Sequence, residues 1–434
     1  MKKVSFSNFI EFIIIVLIIL ITLTGGSIFN NLVEVNIFLL TTLLFVFIND
    51  HKGKLKKNGL IILSIGIGIY LLIDVVYMYH IVGTLGYISI FFCMIELMNC
   101  SIKVEFLSKI VKWIYIYCIV VGISIILGSI NHSIILDTFS FMIPKDLIIQ
   151  MEYEYSKGYI SGIAVGKAFG AYIMNIGIAT VISRISLEKK INIKTIIPLG
   201  IFIIALMLTG KRVLAIIPIV ATIALLFVNI KSIKKSRIVT MILIGIILAF
   251  FIVRFVPSTQ IVIKRFIEDA DDLETFNNRD TMWYYSLKMF NNKPIIGYGI
   301  NTYRTFLRNN GVVERLIMNG HNMYLQLLGE TGIVGSILFF VLFIMALFKN
   351  YKLLKNELII KNKRCYRLLN FSMYIQILFL IYGITGNNMH TYSQIFTYFF
   401  ALTIVINCEN KVKIENNMIK ERKQYGANNC KVKK

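Results

Sequence analysis

Between residues 211 and 321 the chain sets out the side chains best suited to an anionic substrate: Lys211 and Arg212 side by side, then Arg279, then Arg304 and Arg308, then His321. Guanidinium groups grip phosphate oxygens bidentately, and an ammonium binds them as a point charge. A neutral imidazole takes a proton from a hydroxyl. Together they suit a reaction in which a negatively charged group departs while a hydroxyl attacks. Arg279 falls one helical turn before Trp283, and Asn278 reads as the cap of a helix on which Met282, Tyr285, Met289 and Phe290 recur at near-helical spacing. An arginine in a first turn opposes the helix dipole, so its charge is expected to serve a neighbour or ligand. A turn, KPIIGYG, follows at 293–299, and a helix from about Thr302 to Gly311 places Arg304 and Arg308 on one face. His321 precedes the helical stretch NMYLQLLGE, whose first-turn N–H groups disfavour imidazolium and keep the ring neutral.

These residues need a scaffold, and the scaffold is apolar. Hydrophobic residues make up 57% of the 434 positions and charged ones 16%, too greasy for a soluble domain. The net charge of +23 sits in short loops between apolar runs, a topology signal rather than a nucleic-acid footprint, so no nucleic acid is expected. Twelve apolar runs long enough to cross a bilayer are expected near 8–24, 32–49, 59–79, 81–99, 110–129, 158–183, 195–210, 213–230, 238–254, 332–348, 370–387 and 391–407. The first is retained, since no small-residue cleavage site follows it. With a cytoplasmic N-terminus, the segments 50–58, 100–109, 184–194, 229–237, 349–369 and the tail from 408 carry most of the lysines and arginines, so both termini are expected inside. The long segment 255–331 then faces outward.

Cys93 and Cys118 fall in spans and Cys100, Cys365, Cys408 and Cys430 on the reducing side, with no ligand-like spacing. His80, His132 and His390 lie on the outer side, too scattered for a metal site, and none is expected. Asp269-Ala270-Asp271 matches a short cation-positioning pattern within an acidic patch that reads more simply as a solvated face. Lys167 is expected mid-span, with Gly162, Gly166 and Gly170 admitting a neighbouring helix. It is either paired with a carboxylate such as Asp74 or Glu96, or bound to an anionic headgroup. Lys211 and Arg212 on the outer side break the positive-inside preference, which snorkelling to lipid phosphates or a functional role would explain. Trp283, Tyr284, Tyr298 and Tyr303 suit either stacking on sugar rings or an interfacial belt.

The order of these features resembles the bacterial O-antigen ligase and O-antigen polymerase family. The likeness rests on Lys211-Arg212 opening a span, Arg279 before Trp283, the PIIGYG turn, and His321-Asn322 followed by Glu330-Thr331-Gly332 and Gly335, and covers about residues 200–345. Lys211 departs from it, since many relatives carry serine there. The resemblance implies a glycosyltransferase-C-like, all-α polytopic membrane protein with one large extracytoplasmic loop, working with neither nucleotide sugar, metal nor other cofactor. Its implied donor is a glycan on a polyprenyl diphosphate (undecaprenyl diphosphate in bacteria), its acceptor a glycan or other hydroxyl, and its further partners the lipid bilayer and other polysaccharide-assembly proteins. It implies catalytic roles for His321, Arg279 and Arg212; Lys211, Arg304, Arg308, Asn322, Trp283 and Lys167 are the expected substrate-binding residues.

The expected organisation is N-terminal transmembrane helices over 1–200, a ligase/polymerase-like region over 201–348 that includes the outer loop 255–331, C-terminal transmembrane helices over 349–407 and a basic cytoplasmic tail over 408–434. The expected place is the bacterial cytoplasmic membrane, with the active site extracytoplasmic. The expected activity is polymerisation of an O-antigen, capsule or exopolysaccharide. The alternatives are ligation of the glycan to another acceptor and, in a different class, flipping of the lipid-linked unit. The absence of two similar halves and the one long polar loop speak against the flippase.

Overall fold

A computed structural model describes residues 6–23, 31–48, 55–75, 81–186, 192–228, 273–312 and 319–431. These residues are helical, with no strand among them. The helices are α1 (Phe6–Leu23), α2 (Asn31–Ile48), α3 (Gly59–Asp74), α4 (Ile81–Asn99), α5 (Val104–Ile130), α6 (His132–Phe139), α7 (Lys145–Ser156), α8 (Lys167–Ile185), α9 (Ile193–Leu208), α10 (Arg212–Val228), α11 (Leu273–Asn292), α12 (Tyr303–Asn309), α13 (Met323–Leu354), α14 (Glu357–Lys361), α15 (Lys363–Tyr382) and α16 (Tyr392–Lys431). Each expected span falls on a helix except 238–254, which lies outside the described residues, as does Asp269-Ala270-Asp271. Four helices, α5, α8, α13 and α15, are individually long and apolar enough to cross a membrane, and the other spans fall on shorter apolar helices or on α16. The chain is a multi-pass membrane protein.

The bundle is built around α8. In its most apolar window 89% of the residues are buried inside the protein, against 44% for α13, so α8 is the central post and α13 leaves one side to lipid. It is held by polar glue as well as packing. Pro218 inside α10 has no N–H for the carbonyl of Leu214, four residues earlier, and Asn175 Nδ2 of α8 donates to that oxygen at 3.0 Å. Tyr374 of α15 donates to Asn175 Oδ1 at 3.2 Å, so three helices share one buried amide.

The basic segments expected on the cytoplasmic side meet at one end. Lys56 Nζ donates to the carbonyl of Cys100, Ile102 N–H to Asn407 Oδ1 at 3.0 Å, Lys349 pairs with Glu409 at 2.8 Å, and Arg364 pairs with Glu105. The start of α8, the α9–α10 turn and the residues around His321 gather at the other end.

Three expectations change. Lys167 is the first residue of α8 and not mid-span. Gly162 and Val165 have positive φ (56° and 62°) and Gly166 is an extended N-cap, so the glycines break the chain into a loop rather than form a helical stripe. Asn278 is not a cap: α11 starts at Leu273, which puts Arg279 nearly two turns in, because packing of the Met282 and Met289 face outweighs the weak helix propensity of Asn277 and Asn278. Finally, the helix expected over NMYLQLLGE and the span expected from 332 are one helix, α13, kinked at Gly332 (φ 59°, ψ −167°).

Candidate active site

Two glycine motifs dock on each other to make the floor of the site. At Gly332 a Cβ would stand 2.4 Å from the carbonyl oxygen of Ile295, and at Gly297 one would stand 2.2 Å from that of Glu330. The close approach lets Ile333 N–H donate to Pro294 O at 2.8 Å and Gly299 N–H to Glu330 O at 2.7 Å. Tyr70 of α3 lies within hydrogen-bond distance of both sides, its hydroxyl 2.9 Å from Ile296 O and 2.6 Å from Thr331 O. Above this floor, Met282 and Met289 of α11 and Tyr303, Phe306 and Leu307 of α12 form a small core of their own. Tyr303 is buried in it, its hydroxyl donating to Met282 O at 2.6 Å, so it presents no face for a sugar ring; Tyr284 remains exposed.

The turn between α9 and α10 carries Lys211 and Arg212. Gly210 adopts φ 67°, and a Cβ there would fall 2.4 Å from the Tyr159 ring. Lys167 Nζ lies 3.7 Å from the centroid of that same ring. Tyr159 therefore joins the start of α8 to the α9–α10 turn. Glu154 at the end of α7 accepts the Lys167 backbone N–H at 3.0 Å and supplies a nearby negative charge.

Lys211 is pulled down to about 8, mainly by burial, then by Lys167 and Arg279, with Glu154 opposing. His321 is half-buried and pulled down to about 4, by burial first and by Lys211 and Arg279 after it. The ring is neutral at pH 7, as the sequence suggested, but for a different reason. Asn322, not His321, caps α13, its Oδ1 accepting from Tyr324 N–H at 3.0 Å and Leu325 N–H at 3.1 Å. Desolvation and neighbouring cations do the work assigned to the helix start.

So the structure brings Lys211 and Arg279 close to His321 and Lys167 close to Lys211, from four separate stretches of chain. Arg212 opens α10 beside Lys211. Arg304 is further out on α12, donating from Nε to Asn319 Oδ1 at 3.0 Å; its guanidinium is held below the usual arginine range by burial and by Arg308. Trp283 is half-buried on α11, and its indole N–H finds no partner among the described residues.

Sequence reasoning missed the partner of Glu330. Its carboxylate is wholly buried and lies 2.7 Å from His390 Nε2, itself 2% exposed, while Asn301 N–H (2.9 Å), Tyr303 N–H (3.1 Å) and Gln326 Nε2 (3.0 Å) also donate to it. The one signal was a carboxylate inside an apolar motif; nothing in a spacing of sixty residues picks His390. Of the other histidines, His132 stacks on Tyr155 (4.1 Å between ring centres), and His80 lies outside the described residues. Among the described residues no group of histidine, cysteine and acidic side chains is arranged to hold a metal ion.

Residues 197–340 match the sequence profile of the O-antigen ligase family. Over this stretch the chain is similar to that family. The match takes in the Lys211-Arg212 turn, Arg279, the docked glycine motifs and His321. Glu154, Tyr159 and Lys167 lie before the matched stretch and His390 after it. No curated protein matches the chain.

Proposed function

We propose that this protein joins oligosaccharides carried on polyprenyl diphosphate at the outer face of the cytoplasmic membrane, acting as a polysaccharide polymerase. The observation that carries the reading is the convergence of Lys211, Arg279 and Lys167 on a neutral His321, with Glu154 as a nearby acidic group. A cluster of three cations suits an anion of two or more charges. A diphosphate leaving group meets that demand, and its developing charge is what preorganised donors stabilise most.

In the proposed reaction the acceptor sugar hydroxyl attacks the anomeric carbon. The bond from that carbon to the diphosphate oxygen breaks, its electron pair leaving with the diphosphate, and the hydroxyl proton passes to His321. Lys211, Arg279 and Arg212 hold the departing diphosphate, with Lys167 reaching it from α8. A base pulled down to about 4 is weak in the empty site, and bound diphosphate strengthens it by cancelling the repulsion from Lys211 and Arg279. Attack through a single base inverts the anomeric configuration; a retained configuration in the product would sink this mechanism. Arg304, Arg308 and the exposed Tyr284 are assigned to the glycan.

Ligation of the finished glycan to another acceptor is the second reading, favoured by the family description itself, O-antigen ligase. The test uses purified protein in liposomes with a polyprenyl-diphosphate oligosaccharide and a chelator. Chain growth that collapses in His321→Ala and Arg279→Ala supports the polymerase and the metal-free site. A donor transferred only to an added acceptor gives the ligase. A donor that crosses the bilayer unreacted overturns the enzyme reading in favour of a flippase.

A further inference from the structure

His321 stands in the left-handed backbone region, φ 48°, a state that costs a non-glycine residue about 1 kcal/mol or more and persists only where neighbours enforce it. The following side is enforced by the Asn322 cap and by Met323 N–H donating to Gly383 O at 2.8 Å. The preceding side is enforced by one side chain. Gly320 N–H donates to Gln326 Oε1 at 2.9 Å, and Gln326 is 1% exposed. With its oxygen used in this way, the amide must aim its Nε2 at an acceptor, and it donates to Glu330 Oε1 at 3.0 Å. Glu330 is in turn fixed by backbone donors at Asn301 and Tyr303 and by His390 Nε2. The carboxylate is thus the anchored point, tied to the 297–303 turn and to the segment before α16, and Gln326 is the arm that carries its position to the residue before His321.

We propose that Gln326 and Glu330 form a positioning relay that holds His321 in its working orientation, Glu330 as the fixed end and Gln326 as the arm. Neither touches the reacting atoms. The relay rests on the transfer reading for its effect on rate, and on geometry alone for its effect on His321. It also accounts for the buried acid within the Glu330-Thr331-Gly332 motif: a neutral glutamine at 330 offers one acceptor atom in place of two, too few for donors at Asn301, Tyr303, Gln326 and His390.

The test is Gln326→Met in the full chain in liposomes. Displacing a catalytic group by about 1 Å costs on the order of 100-fold, so kcat should fall by about that factor with the donor KM unchanged. In a His321→Ala background, the same substitution should have no further effect. Additive losses in the double variant overturn the relay, because a general loosening of the fold would act with or without His321. A second readout does not depend on activity. Diethyl pyrocarbonate modifies neutral imidazole, and its rate at His321, followed by peptide mass spectrometry across pH, reports the environment of that ring. Gln326→Met should move the midpoint from about 4 toward the ordinary histidine value of about 6.5 as the ring is released. The charged and titratable groups that set it are Lys211 on the α9–α10 turn and Arg279 on α11, with Lys167, Glu154 and Tyr382 around those two. An unchanged midpoint and rate overturn the relay. If His321→Ala leaves transfer intact while the midpoint still moves, the transfer reading fails and the relay stands. Should Gln326→Met not accumulate, Gln326→Asn keeps the amide, withdraws it by one methylene and is read in the same two ways.

Discussion

Binding of the diphosphate should return basicity to His321, and the pH profile should reveal it. The free site holds this imidazole at about 4, against an ordinary value of about 6.5. The whole depression corresponds to at most about 3 kcal/mol, and burial is the larger cause. The part owed to Lys211 and Arg279 is what bound diphosphate removes. The acid limb of kcat/KM, which reports the free enzyme, is therefore expected near pH 4, while the acid limb of kcat, which reports the complex, lies between 4 and 6.5. Lys211 sets the alkaline side. Its folded value is lowered to about 8, so it loses its charge as pH rises through 8, and donor KM should climb about tenfold per pH unit beyond it. The assay is initial-rate chain extension in liposomes from pH 4 to 9.5. Lys211→Met removes one of the two cations, so its kcat/KM limb should move up and its alkaline rise in KM should disappear. Identical acid limbs for kcat and kcat/KM, or a limb that ignores Lys211→Met, would refute the electrostatic coupling on which the mechanism depends.

Other substitutions separate the parts of the site. Gly210→Ala forces an alanine to φ 67° and drives its Cβ into the Tyr159 ring; about 2–4 kcal/mol of strain and lost cation–π contact should lower the thermal midpoint and raise donor KM at least tenfold, and an unchanged KM would detach Tyr159 from the site. His390→Leu removes one hydrogen-bond partner of a buried carboxylate and should cost about 1–3 kcal/mol, measured as loss of thermal stability in detergent. A variant of wild-type stability would show that Glu330 is satisfied by its other three donors. Tyr303→Phe deletes the hydroxyl that donates to Met282 O inside the α11–α12 core and should cost about 1 kcal/mol while leaving glycan selectivity alone; altered product length would return this ring to the sugar site.

Periodicity and composition made the helical bundle legible, since a long apolar run has few alternatives to a helix in lipid. Motif order suggested Lys211, Arg279 and His321 as members of one site, and the two cations lie close enough to His321 to act on it electrostatically. Lys167 was legible as a functional charge yet misplaced. The run 158–183 is apolar enough to read as one span, and only the positive φ at Gly162 and Val165 reveals that the helix starts at Lys167. A lysine at a helix start, stacked on the ring that Gly210 leaves room for, is brought to the end that carries Lys211 without the cost of a charge at mid-membrane. His390 was illegible because its meaning lies in a contact across sixty residues. A buried carboxylate demands donors, but the sequence does not say which of the outer histidines supplies one. The same reasoning accounts for the rigid outer half of α13. Once Glu330 must face backbone donors at 301 and 303 and Gly329 must lie against the carbonyl of Ser286, the segment from Met323 has to be a rigid helix, and Gly332 takes the kink that lets it continue into the membrane.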